Sequence, residues 1–140
     1  MIWKQKPQLE EIQKMCEGTM CEHLGMVFTE ITDDSITATM PVDKRTKQPA
    51  GLLHGGASVA LAESLGSIAS ALCVRGTGKM PVGVEINANH LKSATSGLVT
   101  GTCTAIRRGQ SIHVWNIEIK NEKMELVCVS RLTVMIVDQR

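Results

Sequence analysis

A chain of 140 residues with 43% hydrophobic and 21% charged side chains has the size and make-up of one folded domain, so a single unit over 1–140 is expected. A formal net charge of +1 leaves no electrostatic footprint for nucleic acid, and only Trp3, Phe28 and Trp115 could stack on bases. Five cysteines without a CxxC pair, several in apolar runs such as LVCVS, point to reduced thiols in a cytosolic core rather than a disulfide framework.

The opening MIWKQKPQLEEIQ has no long apolar segment, and no uninterrupted apolar run approaches the roughly 20 residues of a bilayer span; neither a secretory signal nor a membrane helix is expected. Pro7 stands before LEEIQKMCEG, in which Leu9, Ile12 and Met15 or Cys16 share one side and Gly18 can end a short covering helix. LGMVFTEI (24–31) and SITATM (35–40) read as two strands joined by a turn at Thr32, Asp33 and Asp34. PVDKRTKQP (41–49) is polar and bracketed by prolines, an ordered loop leading to the longest element.

That element is LHGGASVALAESLGSIASALCV (53–74). Leu61, Leu65, Ile68 and Leu72 recur at three and four, the apolar stripe of a packed helix. A rotation of about 100° per residue puts Glu63 on a different side with Val59, Gly66, Ser67 and Ser70, a small and partly polar face open to another surface. After the turn at 75–78, MPVGVEINANH (80–90) carries Val82, Val84, Ile86 and Ala88 on one side of a long strand. A strand at 98–106, a basic turn at 107–110, an alternating strand at 112–120 and a hairpin to 126–137 complete the chain. Helix, two strands, long helix and four closely spaced strands favour an α+β fold, a mainly antiparallel sheet around one long helix, over a doubly wound α/β fold.

GLLHGGAS lacks the P-loop and GxGxxG spacings, which argues against ATP and dinucleotides. Gly55 and Gly56 leave room at a helix start whose amides lack intrahelical acceptors; this is either tight packing or a place for a developing oxyanion. Glu63 is the only charged group between His54 and Arg75, and is either a solvated helix residue or a shielded carboxylate fit to act as general base or nucleophile. His54 and His90 could position a carbonyl or water, whereas His23 and His113 read as surface or sheet-packing residues. No HExxH or tight ligand triad supports a metal site. Ser64 and Ser67 lie within a helix, without the elbow of a serine hydrolase. Lys92, Arg107 and Arg108 near strand ends are either phosphate ligands or a solvated rim.

The stretch MPVDKRTKQPAGLLHGGASVALAESLGSIAS, the later VGVEINANH and the RRG turn resemble the hotdog-fold acyl-CoA thioesterases of the PaaI-like group, from Trp3 to about Val137. The combined QPxGxLHGGxSxxLAE pattern carries the likeness, HGG alone being far less specific. The resemblance implies a hotdog fold, homodimers whose sheets join, dimer-of-dimers tetramers and active sites that draw residues from both chains. It implies that Glu63 is nucleophile or general base, that Gln48 and the Gly55 N–H bind the thioester oxygen with His54 in support, and that His90, Ser67 and Ser64 contact the acyl group or its water. Arg107 and Arg108 fall near the CoA entrance by the same analogy. No cofactor is implied beyond the CoA of the substrate. The expected activity is hydrolysis of an aromatic acyl-CoA, with 1,4-dihydroxy-2-naphthoyl-CoA of menaquinone biosynthesis leading; aryl carrier-protein or phenylacetyl-type CoA thioesters are the alternative, and a hotdog-like ligand-binding protein the non-enzymatic one. Ala50 stands where such enzymes commonly have Phe, and the chain has no tyrosine, so the acyl pocket lacks an evident aromatic clamp.

Overall fold

A computed structural model describes residues 1–140, in the order α1 (Leu9–Met15), α2 (Met20–His23), β1 (Val27–Ile31), β2 (Ser35–Pro41), α3 (Gly55–Val74), β3 (Lys79–His90), β4 (Leu98–Arg108), β5 (Ile112–Lys120) and β6 (Leu126–Asp138). The strands form one sheet in the spatial order β1-β2-β4-β5-β6-β3, every pair antiparallel, so β1 and β3 are its edges. This is the expected α+β architecture, with α3 packed against the inner face of the sheet.

Two periodicities meet in the core. Along β5, His113, Trp115, Ile117 and Ile119 are buried while the residues between them face outward, the period of two expected of a half-covered strand. From α3, Leu61, Leu65 and Leu72 present a buried stripe to that face. Contact is close at Gly66, where a Cβ would lie 2.5 Å from Leu132 Cδ2. Ser70, one turn on, is fully buried: its hydroxyl accepts from Trp115 Nε1 at 2.7 Å and meets His113 Nδ1 at 3.0 Å. Gly66 and Ser70 therefore belong to the core rather than to an open face shared with Glu63. Burial, with the charge of Arg108 adding to it, holds the His113 pKa below its ordinary value.

The covering role of α1 is explicit. Its Ile12 is buried, and Gln13 donates to Met26 O at 3.2 Å and accepts from Phe28 N–H at 3.0 Å, tying helix to strand. β1 starts three residues later than its apolar run suggests, because Leu24 caps α2 and Gly25 turns the chain in the left-handed region at φ 73°. All five cysteines are unpaired. The one helix long and apolar enough to span a bilayer is α3, more than half of which is buried against the rest of the chain.

Two bulges reset the face that later residues occupy. In β3, Gly83 pairs with Val134 and Glu85 with Thr133, leaving Val84 over. Pro81 and Gly83 before the bulge thus share the inner face with Ile86, Ala88 and His90 after it. Val82, paired with Met135, faces outward instead of joining Ile86 and Ala88. In β4 the bulge falls at Ile106, and the strand runs on through both arginines, which were expected in the turn.

Candidate active site

His54 ends the loop and caps the helix. Its backbone is extended (φ −66°, ψ 131°), and its Nδ1 accepts from Gly56 N–H at 2.8 Å. Its carbonyl accepts from Ala57 and Ser58 N–H at 3.0 and 3.2 Å. Of the first four amides of α3, only Gly55 N–H then lacks an acceptor. The expected helix start at Leu53 is displaced to Gly55 because Leu53 is extended, bridged to Lys47, and His54 takes the capping position.

The preceding loop is held by its own bonds. His54 N–H reaches Thr46 O at 2.8 Å, and the buried Thr46 hydroxyl reaches Pro41 O at 2.6 Å. Gln48 N–H bonds Leu52 O at 2.8 Å, and Gln48 Oε1 accepts from Ala50 N–H. With the carboxamide oxygen so engaged, its Nε2 donors have no partner in the chain. Because Ala50 acts here through its backbone, the absence of an aromatic side chain leaves the Gln48 orientation intact.

His90 arrives from β3. It pairs with the buried Cys128, which places its ring on the inner face, and its Nε2 would lie only 2.7 Å from a Cβ on residue 55. Glycine at 55 is what admits the imidazole. Gln48, Gly55 and His90 line one cleft of about 330 Å³, walled by Leu52, Leu53, Leu91 and Val127. An unpaired N–H at the positive end of a helix beside a free carboxamide donor is an arrangement that stabilises negative charge on a carbonyl oxygen.

Glu63 lies elsewhere in the same chain. It is half-buried, its Oε1 2.9 Å from where a Cβ on Gly83 would be. Eight residues of helix, about 12 Å, separate it from Gly55. Ser67 is one turn further along. Ser64 turns toward α2, donating to Ala60 O at 2.7 Å and accepting from Cys21 Sγ at 3.4 Å. Arg107 and Arg108 pair with Val114 and His113 and so project to opposite faces. Arg108 donates to Ile2 O at 3.2 Å and, with Lys4, Lys79 and His113, lines a cleft of about 660 Å³ at the far end of α3. The chain thus brings Gln48, His54, Gly55 and His90 together and keeps Glu63, Ser64, Ser67 and both arginines apart from them. Two residues escaped the sequence reading: Ser58, which lines the cleft, and Gly83, which seats Glu63. A glycine inside a strand was the available signal for the second.

Residues 50–128 match the thioesterase superfamily. The chain is 56% identical over 136 residues to the 1,4-dihydroxy-2-naphthoyl-CoA hydrolase of Escherichia coli, covering 97% of this chain and 99% of that one. It is 48% identical to the proofreading thioesterase of Cronobacter sakazakii, covering 97% and 98%. A crystal structure of a thioesterase from Haemophilus influenzae superposes with a TM-score of 0.95 at 48% identity, over 99% of this chain and 96% of that one. A mutant thioesterase from Pseudomonas aeruginosa gives 0.97 at 46% identity, over 99% of both.

Proposed function

The chain belongs to the thioesterase superfamily and is a thioester hydrolase, and on that premise we propose that it cleaves aromatic acyl-CoA, 1,4-dihydroxy-2-naphthoyl-CoA foremost, at a site shared between two copies. The observation that carries the site is the unpaired Gly55 N–H at a cleft also lined by Gln48, whose Nε2 donors are free. Both donate to the thioester oxygen and to the oxyanion that replaces it. His54, by capping Gly56, holds the first turn in place, and His90 closes the cleft beside Gly55. The Glu63 carboxylate takes a proton from the attacking water, or attacks the carbonyl carbon itself to give a mixed anhydride that water then hydrolyses; on either route the C–S bond breaks, CoA leaves as the thiolate, and the acyl group ends as a carboxylic acid.

About 12 Å of helix cannot be closed within one chain, so Glu63 serves the cleft of a second copy. The free edge β3 supports this. It is 12 residues long, exposes Met80, Val82 and Val84, and carries both His90 beside Gly55 and Gly83 against Glu63. Two such edges joined about a dyad run antiparallel, which exchanges the Gly55 end of one subunit for the Glu63 stretch of the other. Val82 and Met135, neighbours and both exposed on the outer face, offer a surface on which two dimers associate. Five unpaired cysteines suit a reducing compartment, the cytoplasm.

Free-thiol release from dihydroxynaphthoyl-, benzoyl-, phenylacetyl- and straight-chain CoA, beside an aryl carrier-protein thioester, tests the substrate. The expected order places dihydroxynaphthoyl-CoA first. Hydrolysis of the carrier-protein thioester alone would instead assign the chain the proofreading role of its Cronobacter relative.

The seat of Glu63 gives a further expectation. In Gly83→Ala the new methyl would meet Oε1 at 2.9 Å, and the carboxylate, being the mobile partner, must move. Turnover should fall about tenfold, as a misplaced reacting group costs, while the thermal midpoint stays within a few degrees. Unchanged turnover would show that Glu63 needs no fixed position.

A further inference from the structure

The cleft holds one buried polar side chain that no bond within the chain uses. Ser58 is 1% exposed, and its N–H is committed to His54 O. The hydroxyls of Ser64, Ser70 and Ser130 all have partners, Ser64 by bonding back to the carbonyl four residues earlier. For Ser58 that carbonyl is His54 O, which already accepts two amides. No fully buried side-chain oxygen or nitrogen in the chain lacks a partner, so the little exposure Ser58 retains lies at its Oγ, on the cleft it lines. Around it the cleft is mixed: Leu52, Leu53, Leu91, Ala94 and Val127 are apolar, while Gln48, His90, Lys92 and Ser93 bring polar groups that are less buried than Ser58.

A buried hydroxyl with no partner in the chain discriminates. An acyl group without a polar substituent strips water from Oγ and returns nothing, whereas one bearing a hydroxyl replaces the lost bond. We propose that Ser58 is a specificity-determining residue, its Oγ hydrogen-bonding a hydroxyl on the acyl group and selecting hydroxylated aromatic thioesters over unsubstituted ones. This rests on reading the cleft as the acyl site.

The test compares kcat/KM for 2-hydroxybenzoyl-CoA and benzoyl-CoA in wild type, Ser58→Ala and Ser58→Cys, with Glu63→Gln alongside. Wild type should favour the hydroxylated substrate. Ser58→Ala should lose about ten- to a hundredfold on 2-hydroxybenzoyl-CoA and change little on benzoyl-CoA. Ser58→Cys, which keeps the volume but donates weakly, should follow alanine. Equal losses on both substrates, or no loss on either, would overturn the assignment, as would recovery in the cysteine variant, which would make the effect one of volume. Glu63→Gln separates the premise from the proposal: full turnover in that variant removes the reading of the site, whereas lost turnover there with an unaltered substrate ratio in Ser58→Ala removes only the role of Ser58.

Discussion

Glu63→Gln should lower kcat about 10³-fold with little change in KM, the loss expected when a base or nucleophile acts in the transition state and not in binding. The amide keeps the shape of the side chain and its place against Gly83, so the fold has no reason to respond. What disappears is the capacity to accept a proton or to attack. No other charged residue on α3 could substitute, since none lies between His54 and Arg75. Steady-state thiol release on dihydroxynaphthoyl-CoA, with circular dichroism as the control for folding, measures the effect. A kcat within a few-fold of wild type would remove Glu63 from the chemistry while leaving the Gly55 donor in question.

Trp115→Ala should be the most damaging single change to stability, by about 3–5 kcal/mol. The side chain is fully buried at the middle of β5, where it meets α3 near Gly66, and its ring stands edge-on to His113 at a centroid distance of 6.0 Å. Removing it opens a cavity that the backbone of a central strand cannot collapse to fill. It also withdraws the indole N–H from Ser70, whose hydroxyl is then left with His113 alone. Urea unfolding followed by far-ultraviolet circular dichroism should give a midpoint well below that of wild type at unchanged slope. A shift equivalent to less than about 1 kcal/mol would mean that this layer is not tightly packed.

The elements legible in the sequence were those whose pattern is local. The stripe of Leu61, Leu65 and Leu72 and the alternation of His113, Trp115, Ile117 and Ile119 state which face is covered, and the structure covers those faces. What a periodicity cannot carry is an interruption of itself. One extra residue at Val84 reverses the sense of β3, and nothing in the apolar spacing of Val82, Val84, Ile86 and Ala88 announces it. The helical wheel likewise put Gly66 and Ser70 beside Glu63 correctly by angle, but their small size let the sheet close over them, which depends on Leu132 and Trp115 far along the chain. The cluster of Gln48, His54, Gly55 and His90 was visible through a family resemblance; the capping bond that leaves Gly55 N–H unpaired was not. Ser58 was hidden because its distinction is a missing bond, decided by how many amides already share His54 O.

The shared site is the central claim, and mixed subunits test it directly. Glu63→Gln and Gln48→Ala proteins, each impaired alone, are unfolded together, refolded at equal concentrations and assayed for thiol release. If each cleft uses Gln48 of one subunit and Glu63 of the other, half the dimers are mixed and each mixed dimer has one intact site, so about one quarter of wild-type turnover should return. If both residues serve a cleft within one chain, every site in the mixture still carries a defect, and activity no higher than the average of the two variants would contradict the shared site.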